Sequence, residues 1–148
     1  MSGYKTVVVG TDGSDSSLRA VDRAAHLASG QGSKVVIATA YLPQSDDLRA
    51  ADVLKDEGYK ASGNAPIYAV LKEARERAIA AGAYEVEERA VVGAPVDALV
   101  ELAESVNADL LVVGNVGLST IAGRLLGSVP ANVSRRSKID VLIVHTTG

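Results

Sequence analysis

Four residues late in the chain combine the types and spacing that could hold an anion. Gly114 and Gly117 end an apolar run, and nine residues later Gly127 is followed by Ser128, where a helix could begin. Glycine lets a ligand approach backbone N–H groups because no Cβ blocks them. A helix that begins at Ser128 adds N–H donors and partial positive charge. This spacing predicts a phosphate-binding loop, although an isolated Gly-x-x-Gly can also be a tight turn.

A second polar stretch, GTDGS at residues 10–14, follows the first apolar run. Ligands of parallel α/β sheets bind beyond the carboxyl ends of the strands, where the winding reverses. The two polar stretches should therefore be neighbours, with the first and fourth strands beside the switch point. Asp12 could instead cap the first helix, but Ser14 or Asp15 is the better candidate for that role.

Groups that would break a phosphate bond are missing from the sequence. The chain contains no Walker-type Gly-x-x-x-x-Gly-Lys, no His-Glu-x-x-His and no Gly-x-Ser-x-Gly. Without a Lys, a carboxylate pair or a metal set near the glycine loop, nothing activates water. His26 and His145 are isolated, which favours surface or structural roles, and Arg135 and Arg136 fit a helix C-terminus. We therefore expect no catalytic and no metal-ligating residue, while Arg124 could reach a phosphate or a partner subunit.

Apolar periodicity predicts an alternation of five strands and four helices, which is an α/β fold with a mainly parallel sheet and helices on both faces. Residues 42–65 form an irregular connection of a length typical of functional or mobile segments. The predicted strands are Tyr4–Gly10, Lys34–Tyr41, Tyr84–Gly93, Ala108–Gly114 and Ile139–His145, and the helices cover about 16–30, 67–82, the residues after Pro95, and 128–137.

The length of 148 residues predicts one domain, residues 1–148. Hydrophobic residues make up 47% of the chain and charged residues 22%, as in soluble globular proteins. Aromatic residues are only 3%, all five of them Tyr, so the core must be aliphatic. Such a core suits a buried parallel sheet.

Charge and cysteine content limit the partners and the compartment. The net charge of −3 and the lack of a basic stripe give no reason to expect nucleic-acid binding. The absence of Cys excludes disulfides and thiol chemistry and fits a reducing compartment. No stretch is typical of a signal peptide or a membrane span. We expect a cytoplasmic protein.

The glycine pattern resembles that of the nucleotide-binding universal stress proteins, which have Gly-x-x-Gly, nine residues and Gly-Ser/Thr. Gly114, Gly117, Gly127 and Ser128 match it in full. The resemblance covers the whole chain, including VVVGTDGSDSS near the start and LLGSVPANVSRRSKIDVLIV near the end. It implies a doubly wound five-stranded parallel sheet in the order 3-2-1-4-5, similar to the adenine nucleotide alpha-hydrolase fold.

The resemblance also implies the site. Thr11 and Asp12 would contact the adenosine, the backbone of Ala40 would hold the adenine, and Val113 and Gly114 would lie along adenine and ribose. The phosphate would be bound by Gly117, Gly127, Ser128 and the Val129 N–H. The full set of implied ligand-binding residues is Gly10, Thr11, Asp12, Ala40, Val113, Gly114, Val116, Gly117, Gly127, Ser128 and Val129.

Two departures from the family pattern favour a small ligand. Pro130 stands where many ATP binders have Ser or Thr, and it lacks both a hydroxyl and an N–H. Val116 replaces a frequent Arg or His. The chain is most similar to short mycobacterial and actinobacterial members, some of which bind cyclic AMP in preference to ATP. Cyclic AMP is therefore the first expected ligand and ATP the weaker one, with Mg²⁺ only if ATP is bound.

Three functions follow from these observations. The first is a nucleotide sink or sensor in the stress response, the second a slow ATPase of the same fold, and the third a nucleotide-independent dimeric interaction module. A homodimer is expected in each case, because the last strand, Asp140 to His145, is apolar and would be an edge.

Overall fold

Five parallel strands form one sheet in the order β3-β2-β1-β4-β5. The computed structural model describes residues 3–41, 65–115, 133 and 135–145. The elements are β1 (Thr6–Gly10), α1 (Asp15–Gln31), β2 (Lys34–Tyr41), α2 (Ala65–Ala80), β3 (Glu85–Val92), α3 (Pro95–Ser105), β4 (Leu110–Gly114) and β5 (Asp140–Val144). The predicted α/β class, all five strands and the strand order are confirmed.

The predicted boundaries differ from the observed ones by one or two residues, as is usual at fraying ends. Helix α1 begins after Ser14, whose side chain accepts the Ser17 N–H, so Ser14 is the N-cap. Of the helix predicted at residues 128–137, Val133, Arg135 and Arg136 are described and helical. Most of the irregular connection, residues 42–64, lies outside the described residues.

Helices pack on both faces of the sheet. Alternate strand residues point to opposite faces, so Val7, Val9 and Ile37 lie under α1 and α2, whereas Val8 and Leu111 lie under α3 and Val133. The central strands β1 and β4 are buried on both faces, which explains their continuous runs of Val and Leu. The buried face of α1 is built largely of alanine, which lets this helix lie close to the sheet.

The two edge strands differ in chemistry. In β3, the Glu87 carboxylate lies 2.6 Å from Lys34 Nζ and also pairs with Arg89. Both hydrogen bonds hold the pKa of Glu87 below its usual value. In the five residues of β5 the only charge is Asp140, which accepts a hydrogen bond from the Tyr4 hydroxyl at 2.8 Å. That bond raises the pKa of Tyr4. Charges on an edge strand resist pairing with another chain, so β3 is the protected edge.

The Glu87 ion pairs give a pH-dependent contribution to stability. We expect Glu87→Gln to lower the free energy of unfolding by about 0.5 kcal/mol at pH 7, the usual size for a partly exposed pair. The pKa of Glu87 is lower in the folded state than the unfolded value of 4.5. The ion pairs therefore stabilise the fold above pH 4.5, and this stabilisation disappears as the pH falls through the folded-state pKa. Urea unfolding between pH 7 and pH 3 measures this difference.

Glu101→Gln, on an exposed position of α3, makes the same change of charge and serves as the control. If the free energies of unfolding of wild type and Glu87→Gln differ by the same amount at every pH, the stabilising role assigned to the Glu87 ion pairs is wrong.

Candidate functional site at the carboxyl ends of the strands

The winding of the chain reverses between β1 and β4. From β1 the chain passes through α1 to β2 on one side, and it later returns through α3 to β4 on the other side of β1. β1 and β4 pair in parallel, with Val9 opposite Val112, so their carboxyl ends lie side by side. The neighbours predicted at the switch point are confirmed, and this is where doubly wound sheets bind ligands.

Hydroxyl groups hold the turn after β1. Thr11 is buried, and its Oγ1 lies 2.8 Å from Ser17 Oγ and accepts the Gly13 N–H at 3.1 Å. Asp12 Oδ1 accepts the Ser14 N–H at 3.0 Å, which forms an Asx-turn. The Thr11 hydroxyl is therefore used inside the turn, whereas Asp12 lies half-buried at its rim.

Gly13 lets this turn lie against α2. Its φ is +86°, a left-handed conformation that side chains rarely adopt. A Cβ at this position would also come within 3.1 Å of Val70 Cγ2. Both constraints favour glycine at this position.

The backbone of Ala40 faces the space beyond the end of β1. Successive residues of a strand direct their backbone groups to alternate neighbouring strands. Ala38 faces β1, since its C=O accepts the Thr11 N–H at 2.9 Å, and Tyr41 faces β3, since its C=O accepts the Gly93 N–H at 2.8 Å. Ala40 therefore directs its N–H and C=O to the β1 side, at a level where β1 has already turned away. Ala40 thus presents an N–H donor and a C=O acceptor on the same side of the strand.

Gly114 borders the same space from the opposite side. The Asn115 N–H donates to the Val144 C=O at 2.8 Å, towards β5. Because a trans peptide is planar, the Gly114 C=O points the other way, towards β1. The Val113 side chain is fully buried in the core, and by the same alternation its N–H and C=O face β5, so Val113 offers no polar group to this space. Gly10, the last residue of β1, lies between Ala38 and β4.

The structure thus brings six predicted site residues to one end of the sheet: Gly10, Thr11, Asp12, Ala40, Val113 and Gly114. The other predicted site residues, together with Arg124 and Pro130, lie outside the described residues: Val116, Gly117, Gly127, Ser128 and Val129. The phosphate-binding loop remains a prediction.

Several contacts near the site were not predicted. Asn115 Nδ2 lies 3.4 Å from His145 Nδ1, so this histidine lies beside the carboxyl end of β4. Arg136, which the sequence places at a helix C-terminus, pairs with Asp97 at the start of α3. Ser17 was not predicted either: the sequence shows a serine three residues after the N-cap, but not that its hydroxyl is buried. His26 is exposed, as expected.

The described ranges contain no group of three His, Cys, Asp or Glu side chains that could hold a metal ion. Across the same ranges, none of the helices combines the length and the apolar character that crossing a membrane requires.

The sheet order and the switch point define the chain as a doubly wound α/β protein, a class whose ligands bind beyond the carboxyl ends of the strands. The chain belongs to the universal stress protein family, whose model matches residues 3–145. This confirms the resemblance seen in the sequence.

Relatives and solved structures agree with this assignment. The chain is 75% identical to universal stress protein Rv1636 of Mycobacterium tuberculosis, over 99% of this chain and 100% of the relative. A crystal structure of a universal stress protein in complex with cAMP is 78% identical, with a TM-score of 0.79 and coverage of 99% and 100%. The universal stress protein of Archaeoglobus fulgidus in complex with dAMP shares the fold at 24% identity, with a TM-score of 0.67 and coverage of 95% and 97%.

Thr39, which precedes Ala40, provides a test of the hydrogen bonding at this end of the sheet. It is 1% exposed, and within the described part of the chain its Oγ1 has no hydrogen-bond partner. An unpaired buried hydroxyl destabilises a fold, so we expect Thr39→Val to leave the free energy of unfolding unchanged or to raise it by about 1 kcal/mol. Denaturant unfolding measures this.

Thr11→Val is the matched control, because it makes the same change where the hydroxyl has two partners. It should lower the free energy of unfolding by about 1 to 2 kcal/mol. Equal losses of unfolding free energy in Thr39→Val and Thr11→Val would contradict an unpaired hydroxyl at Thr39 and a paired one at Thr11.

Proposed function

We propose that this chain binds cyclic AMP, and ATP more weakly, and acts in the cytoplasm as a nucleotide sink or sensor in the stress response. The observation that carries the proposal is the paired N–H and C=O of Ala40 at the switch point. The 78% identical universal stress protein in complex with cAMP supports it.

The Ala40 backbone suits adenine. Adenine carries an amino donor at N6 beside the acceptor N1, so the Ala40 C=O accepts from N6 while its N–H donates to N1. Guanine carries the acceptor O6 where adenine has its amino group, which would set two acceptors against each other. The Ala40 side chain is buried and adds no polar group. Recognition through the backbone therefore favours adenine over guanine.

The phosphate is assigned to the glycine loop. Gly117, Gly127, Ser128 and Val129 supply N–H groups, and Ser128 also supplies its hydroxyl. Val116 and Pro130 remove polar contacts that a triphosphate would use, whereas the single charge of cyclic AMP needs fewer donors. Mg²⁺ is involved only with ATP. Gly10, Thr11, Asp12, Val113 and Gly114 complete the site around adenosine.

Calorimetric titration of nucleotide-stripped protein tests the ligand. We expect cyclic AMP to bind without Mg²⁺ and at least about tenfold, or 1.4 kcal/mol, more tightly than ATP with Mg²⁺. Ser128→Ala should weaken cyclic AMP binding by about tenfold, because hydrogen bonds to charged groups contribute about 1.5 to 3 kcal/mol. Ser137→Ala, at the other end of the predicted helix, should bind like wild type.

Tighter binding of ATP with Mg²⁺ would contradict the assignment of cyclic AMP. Release of phosphate that Ser128→Ala abolishes would instead favour the slow ATPase. A protein that binds no nucleotide would favour the interaction module.

We also propose that β5 pairs with β5 of a second copy, through Asp140 to His145. The Asn115 N–H bonds to Val144, so Val144 faces β4, and by alternation Val141 and Ile143 direct their backbone groups outwards. The Ile143 side chain is 43% exposed. The opposite edge, β3, carries four charges in its sequence EVEERAVV and is protected against such pairing.

A lysine at the β5 edge tests the dimer. We expect Ile143→Lys to raise the dimer dissociation constant by at least about tenfold, because edge lysines oppose strand pairing. Sedimentation velocity over a concentration series measures it. The control is Val92→Lys on the β3 edge, where the native side chain is 59% exposed.

The control should sediment like wild type. Dimers of unchanged affinity in Ile143→Lys would rule out this interface.

A further inference from the structure

The Ser17 hydroxyl is at the centre of the turn after β1. Ser17 lies in the first turn of α1 and is 2% exposed. Its Oγ lies 3.2 Å from the Asp12 nitrogen, 2.8 Å from Thr11 Oγ1 and 3.0 Å from the Ser14 carbonyl oxygen. Three groups on three different residues therefore meet at one hydroxyl.

These contacts use the full hydrogen-bonding capacity of the hydroxyl. A serine hydroxyl has one hydrogen and two lone pairs. The hydrogen goes to the Ser14 C=O, since a carbonyl can only accept. The Asp12 N–H takes one lone pair, since a backbone N–H can only donate. The second lone pair of Ser17 Oγ goes to Thr11 Oγ1, which lies at 2.8 Å and is nearer than Ser14 Oγ at 3.2 Å.

The hydrogen bond from the Asp12 N–H to Ser17 Oγ bears on where the β1–β2 ladder ends. Because it points to Ser17 on α1, the Thr11 C=O of the same planar peptide points away from α1. In a continued parallel ladder this carbonyl would face β2 and accept the Ala40 N–H. Over the described residues, the last bond of the β1–β2 ladder is instead that from the Thr11 N–H to Ala38. The contact with Ser17 coincides with the point where β1 leaves the sheet.

We propose that Ser17 is a positioning residue of the nucleotide site. Its hydroxyl binds the Asp12 N–H, ends the β1–β2 ladder at Thr11, and so keeps the Ala40 N–H and C=O open to the adenine while it orients Asp12. This inference rests on the proposed function. Ser17 itself is buried and acts through Asp12 and Ala40.

The test compares two buried serines that lie at opposite ends of the sheet. Ser17→Ala removes the hydroxyl at the carboxyl ends of the strands. Ser33→Ala removes one at the opposite end, where Ser33 is also 2% exposed and its hydroxyl donates to the Tyr4 C=O. Calorimetry gives the affinities of wild type and both variants for cyclic AMP and cyclic GMP, and thermal unfolding shows that each variant is folded at the assay temperature.

We expect Ser17→Ala to bind cyclic AMP about tenfold more weakly, and cyclic GMP less than about threefold more weakly, so that discrimination between the bases falls. Ser33→Ala should keep both affinities, although its unfolding temperature drops too. A purely structural role of Ser17 would leave the ratio of the two affinities unchanged, and that result would overturn the inference.

If Ser17→Ala is unfolded at the assay temperature, Ser17→Cys replaces it. Its thiol fills the site but accepts hydrogen bonds weakly, so the same loss of discrimination is expected. Wild-type discrimination in Ser17→Cys would overturn the inference. Failure of wild type to bind cyclic AMP would be a different result, because it would overturn the proposed function itself.

Discussion

The end of the β1–β2 hydrogen-bond ladder is the feature on which the geometry of the candidate site depends. A parallel strand must direct its backbone groups to both neighbours, and when one neighbour turns away those groups need another partner. Here β1 leaves the sheet at Thr11, and β2 continues to Tyr41. The N–H and C=O of Ala40 therefore point in a fixed direction past the end of β1, where the described residues include no strand to pair with them. A ligand that offers an acceptor beside a donor can take the place of the missing strand.

The aliphatic core holds these backbone groups in place. β1 and β4 are buried between α1 on one face and α3 on the other, so neither strand can shift without disturbing both layers. Helix α1 packs its largely alanine face on the sheet, and Gly13 packs beside Val70 of α2. The position of the turn thus follows from packing, and the hydroxyl groups of the turn complete it.

The sequence predicted the parts of the fold that depend on local patterns. Runs of valine and leucine identify buried parallel strands because helices cover both faces, and Ser14 marks the start of α1 because its side chain can accept an N–H there. The order of the strands came from the family resemblance, and the switch point from the polar residues that follow the first and fourth strands.

Contacts between residues distant in the chain were harder to predict. Arg136 fitted a helix end equally well with or without Asp97, which lies 39 positions earlier. Nothing local indicates that Asn115 lies beside His145, since these residues meet only once β4 and β5 are paired. The role of Ser17 depends on the direction of a single peptide plane, which no residue pattern encodes.

The most direct measurement of the central claim is the amide spectrum of isotope-labelled protein titrated with cyclic AMP. If the Ala40 N–H donates to adenine, its resonance should shift strongly and its hydrogen exchange should slow when the ligand binds. The Ala38 N–H faces β1 within the ladder and should change little. An Ala40 amide whose shift and exchange stay the same while cyclic AMP binds would contradict recognition of adenine by the open end of β2.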